Sequence, residues 1–161
     1  MAKSDMVQYS TQFGQYVSGW CLHHMGQQVG RGECWDLAHD ALLKGCGKHA
    51  FVSTYTHHGY PILEIIGTSS GPSVVRGPED EIREGDVLQF TSAQFRDGGE
   101  VRTAGAPDHT AVVIGKNGDK LEVAEQNVGG VRVVKSGSYV LKHIEAGSVV
   151  VYRPVPSEWA E

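Results

Sequence analysis

The chain reads as an α+β protein whose N-terminal helices pack against one side of a strongly curled antiparallel sheet. Three observations predict this. Residues 4 to about 25 and 34 to 43 carry apolar side chains at three- and four-residue steps, the spacing of a helix with one buried face. The rest is broken into short apolar or alternating runs, among them Ile62-Leu63-Glu64-Ile65-Ile66, Asp86-Val87-Leu88-Gln89-Phe90 and Ala111-Val112-Val113-Ile114. Asn117-Gly118 then separates the 111–114 run from Leu121-Glu122-Val123-Ala124, a strong hairpin signal that sets neighbouring strands antiparallel.

At 161 residues, 40% of them hydrophobic, the chain suits one globular domain over residues 1–161 with a sizeable core. A formal net charge of −5 argues against nucleic acid as the main partner. No basic-plus-apolar leader opens the chain, and no apolar run approaches the ~20 residues of a membrane span. Cys21, Cys34 and Cys46 are an odd set without a disulfide framework, which points to a reducing compartment and a cytoplasmic protein.

In the first helix Val7, Phe13, Val17 and Leu22, with Tyr9, Tyr16 and Trp20, form the apolar face, and Cys21 falls within it as a core thiol. His23 and His24 sit at the helix end, where the dipole favours them. Gly26 stops the helix, and Gly30 and Gly32 loosen the loop towards Cys34. Cys46, between Gly45 and Gly47, is a turn residue near the core. Phe51-Val52-Ser53-Thr54 is a short apolar run, and His57-His58 a polar loop tip that could rim a groove. Residues 67–78, rich in Gly, Ser and Pro, read as a loop within the domain. Residues 93–107 read as a mobile insertion, a place for substrate selection. Val131-Arg132-Val133-Val134 and 147–153 read as further strands, the last stopped by Pro154 and Pro156.

Chemistry concentrates at three points. Cys34 opens a helix, where unpaired N–H groups and the macrodipole favour a thiolate. Asp36, in the same first turn, reads as structural. His109 stands at the mouth of the 111–114 strand, and Glu125 ends the next one. Because the Asn117-Gly118 turn lies at the far end of that hairpin, His109 and Glu125 share the near end. A nucleophile, a base and an orienting carboxylate follow the logic of a catalytic triad. On a period-two strand residues 125 and 127 share a face, so Asn127 would look into the cleft and Gln126 away from it.

Cys-x-Asp-Leu at a helix start, then His-Thr-Ala-Val-Val-Ile-Gly, then Glu-Gln-Asn, resembles the papain-like clan, and within it amidases of the CHAP and NlpC/P60 type. With residues 26–37 (GQQVGRGECWDL), Gly-Asp-Val-Leu-Gln-Phe at 85–90 and Tyr-Arg-Pro-Val-Pro at 152–156, the pattern is closer to another family. That family is the C-terminal cysteine-proteinase-fold domain of fungal cortical actin-patch proteins that interact with type I myosin tails.

The resemblance implies a cysteine hydrolase that cleaves an amide, peptide or ester bond through a Cys34 thioester. His109 would be its base, with Glu125 and Asn127 supporting. It places an oxyanion-binding glutamine at Gln28, six residues before Cys34, with Gln27 a rival one position away. Some CHAP domains bind calcium in an acidic loop before the cysteine. Residues 27–33 lack the clustered Asp and Asn ligands, so no metal and no cofactor is expected. The expected partner is a peptide or protein, and the resemblance adds actin-patch proteins and a cortical location. The rival expectation is a non-catalytic interaction module of an actin-patch scaffold that retains the site, since fold does not settle activity. A transferase using the same thioester is not distinguished from a hydrolase by sequence.

Overall fold

Period-two burial organises the sheet in the computed structural model, which describes residues 2–160. Its strands are β1 (Tyr60–Thr68), β2 (Gly71–Arg76), β3 (Val87–Asp97), β4 (Glu100–Asn117), β5 (Lys120–Glu125), β6 (Lys135–Val140) and β7 (Ile144–Arg153). They lie in the order β2-β1-β7-β3-β4-β5-β6, each neighbouring pair antiparallel. Val87, Val112, Ala124 and Tyr152 face the helices. Leu88, Phe90, Ala111, Val113, Val123 and Val151, one position along, fill a second core on the opposite face.

That second face folds over itself. Tyr139 on β6 packs its ring 4.6 Å from Phe90 and 5.6 Å from Phe95, both on β3, although β4 and β5 lie between these strands. Only a curled sheet brings them together. Register shifts in the β1–β2, β1–β7, β3–β4, β3–β7 and β4–β5 pairs supply the bends.

The helices cover the first face. α1 (Lys3–Tyr9) runs through a wider π turn at Ser10–Gly14 into α2 (Gln15–His23), and α3 (Cys34–Asp40) runs into a second π turn at Ala41–Gly45. The buried side of the first run is Met6, Phe13, Val17 and Cys21, with Tyr9 and Trp20 partly covered; Val7, Tyr16 and Leu22 are exposed. The expected apolar face was therefore drawn too wide. Gly14 and Gly85 meet where this helix crosses the sheet, each lacking room for a side chain against the other's segment.

Several expectations about the connections fail for identifiable reasons. Residues 67–78 are not a loop: β1 and β2 form a hairpin across Thr68 and Gly71, and the Thr68 hydroxyl bonds the Gly71 carbonyl at 2.8 Å to close the turn. Residues 93–107 are not a mobile insertion but the continuation of β3 and β4 into a hairpin at Gly98-Gly99. His109 consequently lies within an 18-residue strand rather than at its mouth. Residues 131–134 form no strand, because the Val134 N–H goes to the Gln27 carbonyl and its own carbonyl receives the Gly26 N–H. In the short apolar run at 51–54, the Phe51 N–H goes to the Val155 carbonyl and Thr54 turns back on His57.

His58 is not at a polar tip. It is fully buried, with Nδ1 against the Ser53 hydroxyl (2.6 Å) and Nε2 against the Gln89 side-chain oxygen (2.8 Å). Burial holds its pKa down to about 4. Nearby, the guanidinium of Arg153 is fully buried at the end of β7. It is held by Asp86 (2.6 and 3.0 Å) and Asp80 (2.9 Å), and by the carbonyls of Met6 and Glu81. This ion-paired knot ties the first helix, the 80–86 turn and the last strand together.

Candidate active site

The loop before α3 is built to hold one helix start in place. Glu33 is extended (φ −78°, ψ 156°), and Cys34 is the first helical residue. The Asp36 carboxylate accepts the N–H groups of Arg31 (2.8 Å) and Glu33 (3.2 Å), so it shapes the loop, as expected of a carboxylate in a first turn. From the sheet, Gln126 reaches into the same loop. Its side-chain oxygen accepts the Val29 N–H (2.8 Å), and its amide donates to the carbonyls of Val29 (3.2 Å) and Glu33 (3.0 Å). Gln126 is fully buried and anchors the residue before Cys34.

The hairpin of β4 and β5 brings the other two groups together. Ala111 pairs with Glu125, and two residues earlier the His109 Nε2 lies 2.8 Å from Glu125 Oε1. Both side chains are buried, at 6% and 4% exposure. His109 also acts on the Cys34 thiol, and with Nε2 on the carboxylate, Nδ1 is the ring nitrogen left to face the sulfur. The backbone N–H groups of Thr110 and Trp35 also favour a thiolate at this sulfur.

The electrostatics follow from this chain of contacts. Burial works to raise the Cys34 thiol pKa, but the His109 hydrogen bond and charge, with the two backbone donors, bring it below the ordinary thiol value. Burial likewise works against an imidazolium at His109, and the bonds to Cys34 and Glu125 outweigh it, pushing its pKa up to about 9. The pair therefore favours thiolate and imidazolium. The other two thiols go the opposite way: burial pushes Cys46 up to about 11 and Cys21 higher still.

The remaining expected residues are placed differently. β5 ends at Glu125, and Asn127 has a left-handed backbone (φ 59°), so the period-two argument for it does not hold. Asn127 nevertheless lines a cavity of about 130 Å³ together with His109, Thr103, Gly105 and Tyr139, while its amide donates to the Glu33 carboxylate at 3.0 Å. Gln28 is exposed, and its amide donates to the Gly30 carbonyl at 3.4 Å. A residue missed by sequence reasoning is Tyr139, whose hydroxyl donates to Glu125 Oε1 at 2.7 Å. Nothing in the local sequence marks it; the pairing of β6 with β5 delivers it. Among the described residues no three His, Cys, Asp or Glu side chains are grouped to hold a metal ion, and no helix is long and apolar enough to cross a membrane.

Comparison with known proteins places this geometry in a family. A protein from Debaryomyces hansenii named "Altered inheritance of mitochondria protein 3" is 54% identical over 159 residues. The match covers 96% of this chain but 17% of that protein, so the chain spans only a small part of its relative's length. Two crystal structures of Ly7917 match at low identity. One has a TM-score of 0.46 at 17% identity, over 86% of this chain and 61% of that one. The other, with the hydrolysis product of MDP, has a TM-score of 0.44 at 18% identity, over 95% and 63%. A family model matches residues 1–161 throughout, and the chain belongs to the AIM3/BBC1 cysteine proteinase-fold domain family.

Proposed function

We propose that residues 1–161 form one domain acting as a cysteine hydrolase on an amide, peptide or ester bond of a peptide or protein. It would need no cofactor or metal and would work in the cytoplasm, at the actin cortex if its partners are actin-patch proteins. The observation that carries this reading is the His109–Glu125 pair at 2.8 Å together with Cys34 at a helix start, whose thiol pKa His109 lowers.

The steps follow from the protonation states. The Cys34 thiolate attacks the carbonyl carbon, and the electron pair of the C=O bond moves onto oxygen. The Cys34 backbone N–H is one donor for that oxyanion, and Gln28 becomes the second once its amide turns from the Gly30 carbonyl. Collapse breaks the bond to the leaving group, which takes its proton from the His109 imidazolium and leaves a thioester. His109, now neutral, takes a proton from water as the oxygen attacks. The second collapse releases the acid and restores thiolate and imidazolium. Glu125 holds the ring through Nε2 at both stages.

One observation favours the second reading, an interaction module that retains the site: the Gln28 and Asn127 amides are both engaged elsewhere. Thiol labelling tests the first. Near neutral pH, iodoacetamide should alkylate Cys34 much faster than Cys21 or Cys46, and His109→Ala should slow it by roughly tenfold or more. Equal rates at all three thiols would remove the thiolate on which hydrolysis depends.

A further inference from the structure

Glu125 is held from two sides by β6, and neither contact belongs to the three residues that carry the proposed chemistry. The Tyr139 hydroxyl donates to Oε1, the same oxygen that receives His109. The other carboxylate oxygen lies over Gly137: a Cβ built on that glycine would stand 2.1 Å from Glu125 Oε2, so any side chain there displaces the carboxylate as it now sits. The two residues are two positions apart on one strand, so they present to the same face. In the register of β5 and β6, Gly137 pairs with Val123 and Tyr139 with Leu121. Glu125 therefore folds back along the strand, across the gap that Gly137 leaves open, to reach the phenol.

We infer that Tyr139 and Gly137 are positioning residues that fix the Glu125 carboxylate, and through it the His109 ring, for Cys34. This rests on the hydrolase reading and specifies how its third member is set. A carboxylate at 4% exposure must have its oxygens satisfied by donors, and its donors here are His109 and Tyr139. The phenol keeps its proton across the working range, because burial and the Glu125 charge both push its pKa up. It is thus a donor at any pH at which the site operates. The Tyr139 ring is itself fixed, packed on Phe90 and Phe95 and covered by the Arg102 guanidinium at 4.2 Å. Gly137 supplies the complementary requirement, which is space. With a methyl group there the carboxylate would have to shift, and the group that holds Nε2 would move with it.

The test is the pH dependence of Cys34 alkylation, read by mass spectrometry on wild type, Tyr139→Phe and Gly137→Ala. Tyr139→Phe keeps the ring and removes one donor from Glu125. The carboxylate is then less firmly placed on Nε2, the imidazolium is less well stabilised, and the thiolate is lost earlier on acidification. The acid limb of the rate profile should move up by about one pH unit, a shift that loss of packing alone would not produce. Gly137→Ala should slow alkylation at pH 7 by about tenfold or more, with the thiol reactivity moving towards that of Glu125→Gln. It approaches the same carboxylate from the other side, and so keeps the test open if Tyr139→Phe does not fold. A folded Tyr139→Phe with the wild-type profile, or a Gly137→Ala with the wild-type rate, would overturn the inference while leaving the hydrolase reading intact. A wild-type Cys34 that reacts no faster than an ordinary thiol would overturn both.

Discussion

The side-chain amide of Gln126 donates to the carbonyl of Glu33 at 3.0 Å, joining the end of β5 to the residue before Cys34. The same side chain takes both polar groups of the Val29 peptide. The nucleophile and its base thus belong to one framework: Gln126 directly follows Glu125, the partner of His109, and it grips the loop that launches α3. This matters because a thiolate–imidazolium pair depends on a fixed short distance, and here one buried side chain sets it from the sheet.

Gln126→Leu, which keeps the volume, should therefore act in two ways. It strands buried groups at Val29 and Glu33 and should cost about 3 kcal/mol of stability, read as a lower urea midpoint. It should also slow Cys34 alkylation at neutral pH, because the loop is no longer anchored. A variant with unchanged stability and unchanged Cys34 reactivity would show that the loop holds itself.

His58 gives the fold a pH dependence of its own. Its folded pKa of about 4 lies below that of an exposed histidine, ~6.5, so the unfolded chain binds the proton more readily. The stability it contributes is fully present above pH ~6.5 and falls as the pH drops towards 4. At pH 5 the loss should be about 2 kcal/mol relative to pH 7. Urea titrations at the two pH values check this, with His58→Gln flattening the difference. A difference of the same size in that variant would assign the acid sensitivity to other groups.

How far the sequence disclosed this arrangement depends on which interactions decide each part. The hairpin of β4 and β5 was legible because Asn117-Gly118 acts locally, and with it came the meeting of His109 and Glu125. Cys34 at a helix start was legible for the same reason. The hairpin at Thr68 and Gly71 was hidden, since its turn is closed by a threonine side chain within a stretch whose composition resembles a loop. Gly98-Gly99 is itself a hairpin signal, outweighed in the reading by the charges around it. His58 and Arg153 were misread or passed over because their partners are distant in sequence: Gln89 for the first, Asp80 and Asp86 for the second. Tyr139 needed the pairing of β6 with β5, which no local turn signal announces, and Asn127 was misplaced by assuming that β5 continued beyond Glu125.

The most direct measurement of the central claim is acyl transfer at Cys34, followed by intact mass across a panel of activated peptide esters and amides. The account predicts a transient adduct of one acyl group per chain on the wild type, with continued release of the acid product. The adduct should be absent in Cys34→Ala and strongly reduced in His109→Ala. No adduct and no product across a broad panel, from a folded wild type whose protein partners bind Cys34→Ala equally well, would contradict it.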